Sequence, residues 1–322
     1  MIKQIKHSAF WEGRKTPHYF HPSITPCYDG LFMTLQDLRG VSDTYGPPMW
    51  SLSKDEGSSW SDPQVIEPLG YCDLKNGLTE AIADVRPLFH PQSGAVIAIG
   101  CNTFYGKNGH WQYDKNLKDK VLKQLPVYAV RYADGSWSKR KILEADFFKD
   151  CLNWRVACAQ MLILSNGDIL IPIYFSTNSQ QDIFHVCSIK CSFDGENLIT
   201  KNISNTLSLN INRGFIEPSL AVLGQNYYMT IRAEDNHGYF SVSEDGLSWG
   251  KAKAWCWDNG EALTMSTTQQ HWVSNRKKLF LVLSWLCLKR NFAATFNWGF
   301  APNPRVFKGI TLSSINRGFK DT

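Results

Sequence analysis

Short polar turns lead, again and again along this chain, into unbroken apolar runs. They do so from Tyr28 to Thr34, Gln92 to Ile99, Asn166 to Tyr174, Gly224 to Ile231 and Arg276 to Leu283. Apolar runs this short, bounded by turn residues, predict strands buried on both faces rather than half-exposed ones. Their return at intervals of roughly 50 to 75 residues predicts one four-stranded blade per repeat, as in a β-propeller. Helical periodicity is sparse. The most polar stretch, Tyr105 to Leu125, carries Lys107, Lys115, Lys118, Lys120 and Lys123 and reads as a solvated loop or short surface helix. No linker rich in Pro, Gly or Ser interrupts the pattern, so residues 1–322 read as a single domain. Beyond Trp285 the alternation fades, and Arg290 to Thr322 predicts either an irregular closure or an incomplete last blade.

A second repeat sits at the turns. Ser53-Lys54-Asp55-Glu56-Gly57-Ser58-Ser59-Trp60 reads S-x-D-x-G-x-x-W, and Ser243-Glu244-Asp245-Gly246-Leu247-Ser248-Trp249 is a shortened copy. Ser192 to Leu198 keeps the frame with Leu in place of Trp, and Asp134-Gly135-Ser136-Trp137 is a more eroded version. The spacing has a physical logic. Asp accepts backbone hydrogen bonds from residues just ahead, Gly supplies a positive φ, and Trp folds its ring back over the hairpin. These turns are expected to be structural, on the outer edge of the blades.

Composition narrows the function classes. The chain has 322 residues, and a hydrophobic share of 43% is enough for a substantial core. Its 12 Trp suit β-rich folds and the aromatic platforms on which sugars stack. A net charge of +5, without a long basic run, argues against a nucleic-acid partner. Nine cysteines lie scattered with no CxxC pair and no metal-ligand spacing, so most read as buried free thiols. Neither an export signal nor a long apolar span is visible, and a cytoplasmic location without membrane association is expected. There is no HExxH, no P-loop and no GxGxxG opening a helix, so neither a metal nor a cofactor is expected.

Together the turn repeats and several strand segments resemble the sialidase (neuraminidase) superfamily, and more closely the bacterial sialidase-like BNR-repeat proteins, over residues 18 to 285. The likeness rests on the S-x-D-x-G-x-x-W turns, on Gly214-Phe215-Ile216-Glu217-Pro218-Ser219-Leu220 leading to Arg232, on Thr268 to Val273, and on His21-Pro22-Ser23. It implies an all-β, six-bladed propeller. It also implies a glycoside hydrolase that releases a terminal acidic sugar, with three arginines holding the sugar carboxylate, a Glu activating a nucleophilic Tyr, and an Asp as general acid and base. Those residue types suit the reaction. A carboxylate is matched by planar guanidinium forks, and an oxocarbenium-like transition state needs a nucleophile on one face and an acid on the other.

Carried over residue by residue, the resemblance makes Glu217 the carboxylate of the Glu/Tyr pair and Arg232 a carboxylate-binding arginine. Asp43 and Asp84 compete for the acid, and Arg86 stands just beyond Asp84. Near the first arginine position the chain offers His21-Pro22-Ser23 and Arg39, and neither matches cleanly. No Tyr follows Trp285, which leaves Tyr45, Tyr105 and Tyr239 as the tyrosines to consider. Asp235, Gln160, Gln270 and His271 are further candidates for sugar contact, His271 because an imidazole titrates near neutral pH. The expected partner is a glycan or a small acidic sugar. Two alternatives stay open: a propeller that binds carbohydrate without cleaving it, and a lyase or hydrolase of different sugar specificity on the same scaffold.

Overall fold

All five apolar runs form the return strand of an antiparallel hairpin. The structure is a computed structural model and describes residues 18–39, 44–74, 77–106, 122–177, 180–257, 259–265, 268–275 and 278–282. The first sheet has the order β1 (His18–Cys27), β2 (Gly30–Leu38), β3 (Met49–Ser53) and β4 (Gln64–Val65). The second runs β5 (Cys72–Asp73), β6 (Thr79–His90), β7 (Ala95–Tyr105), β8 (Pro126–Arg131) and β9 (Lys141–Ile142). The third contains β10 (Cys151–Arg155), β11 (Leu162–Ile163), β12 (Ile169–Thr177), β13 (Gln180–Phe193), β14 (Leu198–Ile203) and β15 (Leu207–Ser208), with β12 and β13 at its centre. The fourth runs β16 (Ile216–Leu223), β17 (Asn226–Arg232), β18 (Gly238–Ser243) and β19 (Lys253–Ala254). A two-stranded ladder, β20 (His271–Asn275) with β21 (Lys278–Val282), follows.

The runs are buried as their composition requires. Every residue of β7 is buried, as is β12 from Ile169 to Ser176. Each is a central strand, and β-branched residues on both of its faces exchange water for apolar neighbours. The expected blade count is corrected. Among the described residues four sheets have four or more strands, and the fifth run forms only a two-stranded ladder. Five runs are written in the sequence; the number six came from the resemblance alone.

Two compact units divide the chain. The first comprises the described residues up to 145 with 153–158 and 193–199, and the second the described residues among 146–152, 159–192 and 200–282. In the first, Ile66, Leu69, Ile82, Val85, Ala98, Val127 and Ala129 form a core cluster with Trp50 and Trp137 packed against it. In the second, Tyr228, Trp255, Leu263, Met265 and Trp272 cluster around Ala221.

The repeated turns close as their spacing predicts. In the first, Asp55 Oδ1 accepts from Ser53 Oγ and from Ser59 N, both at 2.8 Å, and Gly57 takes a φ of 87°. The Ser59 hydroxyl, which donates to Asp55 Oδ2 at 2.6 Å, and then those two bonds stabilise the ionised carboxylate and hold Asp55 down to about 2. In the second, Asp245 Oδ1 accepts from Leu247 N at 2.8 Å and Ser248 N at 2.6 Å, while the buried Trp249 donates Nε1–H to Ser188 Oγ at 2.8 Å. Asp194 accepts in the same way from Glu196 N and Asn197 N, and Asp134 from Ser136. Five of the eight described cysteines are buried. Among the described residues no helix is long and apolar enough to cross a membrane.

Candidate functional site

One backbone device recurs within β1, β6 and β16 and in the segment between β10 and β11. His21, Asp84, Cys158 and Glu217 adopt φ values of 49°, 58°, 55° and 49°. Left-handed backbone costs a non-glycine residue about 1–2 kcal/mol, because Cβ crowds the carbonyl. Register shifts accompany three of the four, between Phe20 and Ser23, Ala83 and Arg86, and Ile216 and Ser219. Each is a bulge that turns one side chain out of the ladder's alternation. Strain of this kind persists where surrounding structure enforces it, and it concentrates at functional sites.

In the first unit the bulges bring His21 and Asp84 together, with Nδ1 2.7 Å from Oδ1. Gln36 fixes the arrangement. Its side-chain oxygen accepts the Asp84 N–H at 2.8 Å, and its amide nitrogen donates to the carbonyls of Gly46 and Ile82. The Tyr45 ring lies 5.6 Å from the His21 ring, and the Tyr45 N–H donates to the Tyr105 hydroxyl at 3.0 Å. Tyr71 donates its hydroxyl hydrogen to the Tyr45 carbonyl, while Arg39 lies over the Tyr71 ring and pairs with Asp37. Arg86 is buried, and its Nε has no hydrogen-bond partner among the described residues. Burial pushes the Asp84 carboxyl up, but His21, the Cys158 thiol and Arg86 more than offset it and hold Asp84 below its ordinary range. Burial, and to a lesser degree the Asp84 charge, pushes the Tyr105 phenol well up.

In the second unit Glu217 and Arg232 meet across the first hairpin of the fourth sheet, where Ile216 is opposite Arg232. Arg232 Nη1 donates to both Glu217 oxygens, at 2.9 and 2.8 Å, and Nη2 lies 3.7 Å from Glu234. Glu234 in turn accepts two bonds from the Arg213 fork, from Nε at 2.9 Å and from Nη2. The result is an alternating chain of carboxylate and guanidinium groups: Glu217, Arg232, Glu234, Arg213. The Arg213 bonds and charge hold the Glu234 carboxyl below its ordinary range. Beside this chain, Tyr239 donates its hydroxyl to Asp235 at 2.6 Å, and the Asp235 Oδ1 accepts the His237 N–H. Burial, then the Asp235 bond and charge, push the Tyr239 phenol up to about 12.

The remaining candidates fall in several places. Gln160 spends both ends of its amide on the backbone of Trp272: Nε2 donates to the carbonyl at 2.8 Å, and Oε1 accepts the N–H at 2.6 Å. Gln270 is buried and accepts the Thr230 hydroxyl. His271 opens β20 opposite Val282 and is partly exposed. Asp43 lies outside the described residues. Sequence reasoning missed Arg213, Gln36, and the approach of Cys158 to His21 and Asp84. Arg213 sits in Asn212-Arg213-Gly214, which reads as an ordinary turn, and Cys158 lies far along the chain from the other two.

No protein-family model matches the chain, and no curated protein matches it by sequence. Solved structures do match. A Hadza microbial sialidase superposes with a TM-score of 0.60 at 14% identity, covering 82% of this chain and 52% of its own. The sialidase of Trypanosoma rangeli gives 0.59 at 14%, covering 83% and 44%, and that enzyme has been seen with sialic acid. A variant of NanB sialidase from Streptococcus pneumoniae gives 0.61 at 14%, covering 84% and 57%. The chain thus spans about half the length of these structures. Four-stranded antiparallel sheets in series and this superposition lead to one conclusion: the chain has the β-propeller fold of the sialidases.

Proposed function

We propose that this protein is a sialidase-like glycoside hydrolase acting on a terminal acidic sugar of the sialic-acid class. The pairing of Glu217 with Arg232 carries the reading. A guanidinium already held in a fork by one carboxylate is shaped to accept another, and an arriving sugar carboxylate would replace Glu217 on Arg232. Glu217, released from its partner, is then a base able to accept a proton from the attacking group. Arg213 and Glu234 keep Arg232 in place during the exchange. Asp84 remains a candidate for the acid, its carboxylate paired with the His21 imidazole at 2.7 Å. Gln160 and Gln270, committed to protein groups, position strands rather than sugar.

The test is sugar release from α-sialosides, uronic-acid glycosides and neutral glycosides by the protein and by Glu217→Gln. Release from one acidic class, reduced at least about 100-fold by the substitution, is expected. Equal release by both proteins would remove Glu217 from the chemistry. One observation favours a second reading, an acidic-sugar-binding propeller without turnover: the Tyr239 hydroxyl gives its hydrogen to Asp235 at 2.6 Å rather than to Glu217. Calorimetric binding of a sialoside without release would select it.

A further inference from the structure

We propose that His21, Asp84 and Cys158 form a binding site for a divalent transition metal of the zinc class. The three contribute an imidazole nitrogen, a carboxylate oxygen and a sulfur that all lie within 4.8 Å of one another. Nitrogen, oxygen and thiolate are the donors that zinc takes at about 2.0–2.3 Å, and three protein ligands leave a fourth position for water. All three residues belong to the first unit, and each is delivered by left-handed backbone. Three separate segments of chain therefore carry strain to bring three ligand types to one point. Structural packing alone does not call for that, since any apolar side chain would fill the same space.

The environment fits an ion with a defined approach. Cys158 is fully buried at the base, whereas the side chains of His21 and Asp84 keep 10% and 17% of their exposure, so an ion enters past them. The Phe20 and Tyr45 rings flank the imidazole at 4.0 and 5.6 Å and restrict its rotation. Gln36 holds the Asp84 backbone. The Arg86 guanidinium also acts on Asp84, and a thiolate and a carboxylate together supply negative charge to offset it and part of the metal's. Two ligands of a tetrahedral zinc stand about 3.3 Å apart, so metal entry opens the 2.7 Å His21–Asp84 pair by roughly half an ångström. The Cys158 thiol proton leaves to solvent as the sulfur becomes a thiolate, and the imidazole keeps one proton on Nε2.

The experiment is a cobalt(II) titration of chelator-treated, reduced protein, followed by absorption. One equivalent should bind, with a thiolate-to-cobalt charge-transfer band. Cys158→Ser should abolish the band, and His21→Gln should weaken binding by more than about 100-fold, as expected for loss of a ligand rather than of an outer partner. A band that persists in Cys158→Ser, or no binding by the wild type, overturns the proposal. Should either variant fail to fold, X-ray absorption of the zinc-loaded wild type decides. A shell with one sulfur and nitrogen or oxygen neighbours supports the site, and a shell with no sulfur or several refutes it. None of these readouts depends on sugar turnover.

Discussion

Removing the Glu217–Arg232 pair tests whether the central ion chain is a built feature or an incidental contact. The two side chains retain 14% and 18% of their exposure, so the pair is largely shielded from water. An exposed ion pair contributes about 0–1 kcal/mol. A hydrogen bond to a charged group contributes about 1.5–3 kcal/mol, and here Nη1 makes two, at 2.9 and 2.8 Å. Discounting for the residual exposure, and for Glu234 remaining 3.7 Å from Arg232 when Glu217 is gone, a coupling of about 2 kcal/mol is expected. The assay is a double-mutant cycle of Glu217→Gln and Arg232→Met by urea unfolding, with slopes checked for constancy. Shielding adds a second criterion: most of the coupling should survive high salt, which screens surface pairs. A coupling under about 0.5 kcal/mol, or one that salt erases, would refute the argument and remove the basis for an exchange of carboxylates on Arg232.

Other outcomes follow from the same geometry. Gln160→Met should destabilise by about 2–3 kcal/mol, because it leaves both the N–H and the carbonyl of Trp272 without their side-chain partner; denaturant unfolding measures it. Trp249→Phe should cost about 1–2 kcal/mol by loss of the Nε1 bond to Ser188, and its double variant with Ser188→Ala, which also loses the bond to the Gly246 carbonyl, should cost less than the two single losses together. Glu234 has a lowered folded-state pKa, so its contribution is present above the unfolded carboxyl's pKa and is lost as pH falls through the folded one. Thermal melting should therefore fall below about pH 4.5 in the wild type and flatten in Glu234→Gln, whereas parallel curves would argue against it.

Strand positions were legible because they depend on local rules. The apolar runs from Gln92 and Asn166 need two buried faces and became β7 and β12 at the middle of their sheets. The S-x-D turns are equally local, since Asp245 bonds only residues within its own turn. Glu217 and Arg232 were named together by the resemblance, and a single hairpin brings them into contact. What stayed hidden is long-range or conformational. Nothing near Cys158 announces that it approaches His21 and Asp84. Gln160 and Gln270 look like ligand-binding glutamines in one dimension and prove to be committed to Trp272 and Thr230 in three. The left-handed backbone at Glu217, just before a proline, goes against the preference of the residue type, so propensity could not foresee it.

The bulges in β1, β6 and β16 act as sockets. Because each one absorbs its irregularity within two or three residues, the ladder beyond it keeps the same register whatever side chain the socket holds. His21, Asp84 and Glu217 already occupy three of them in this one chain. Exchanging the occupant changes the chemistry presented at the bulge while the buried strands carry the fold unchanged. Redesign of this protein should begin at residues 21, 84 and 217.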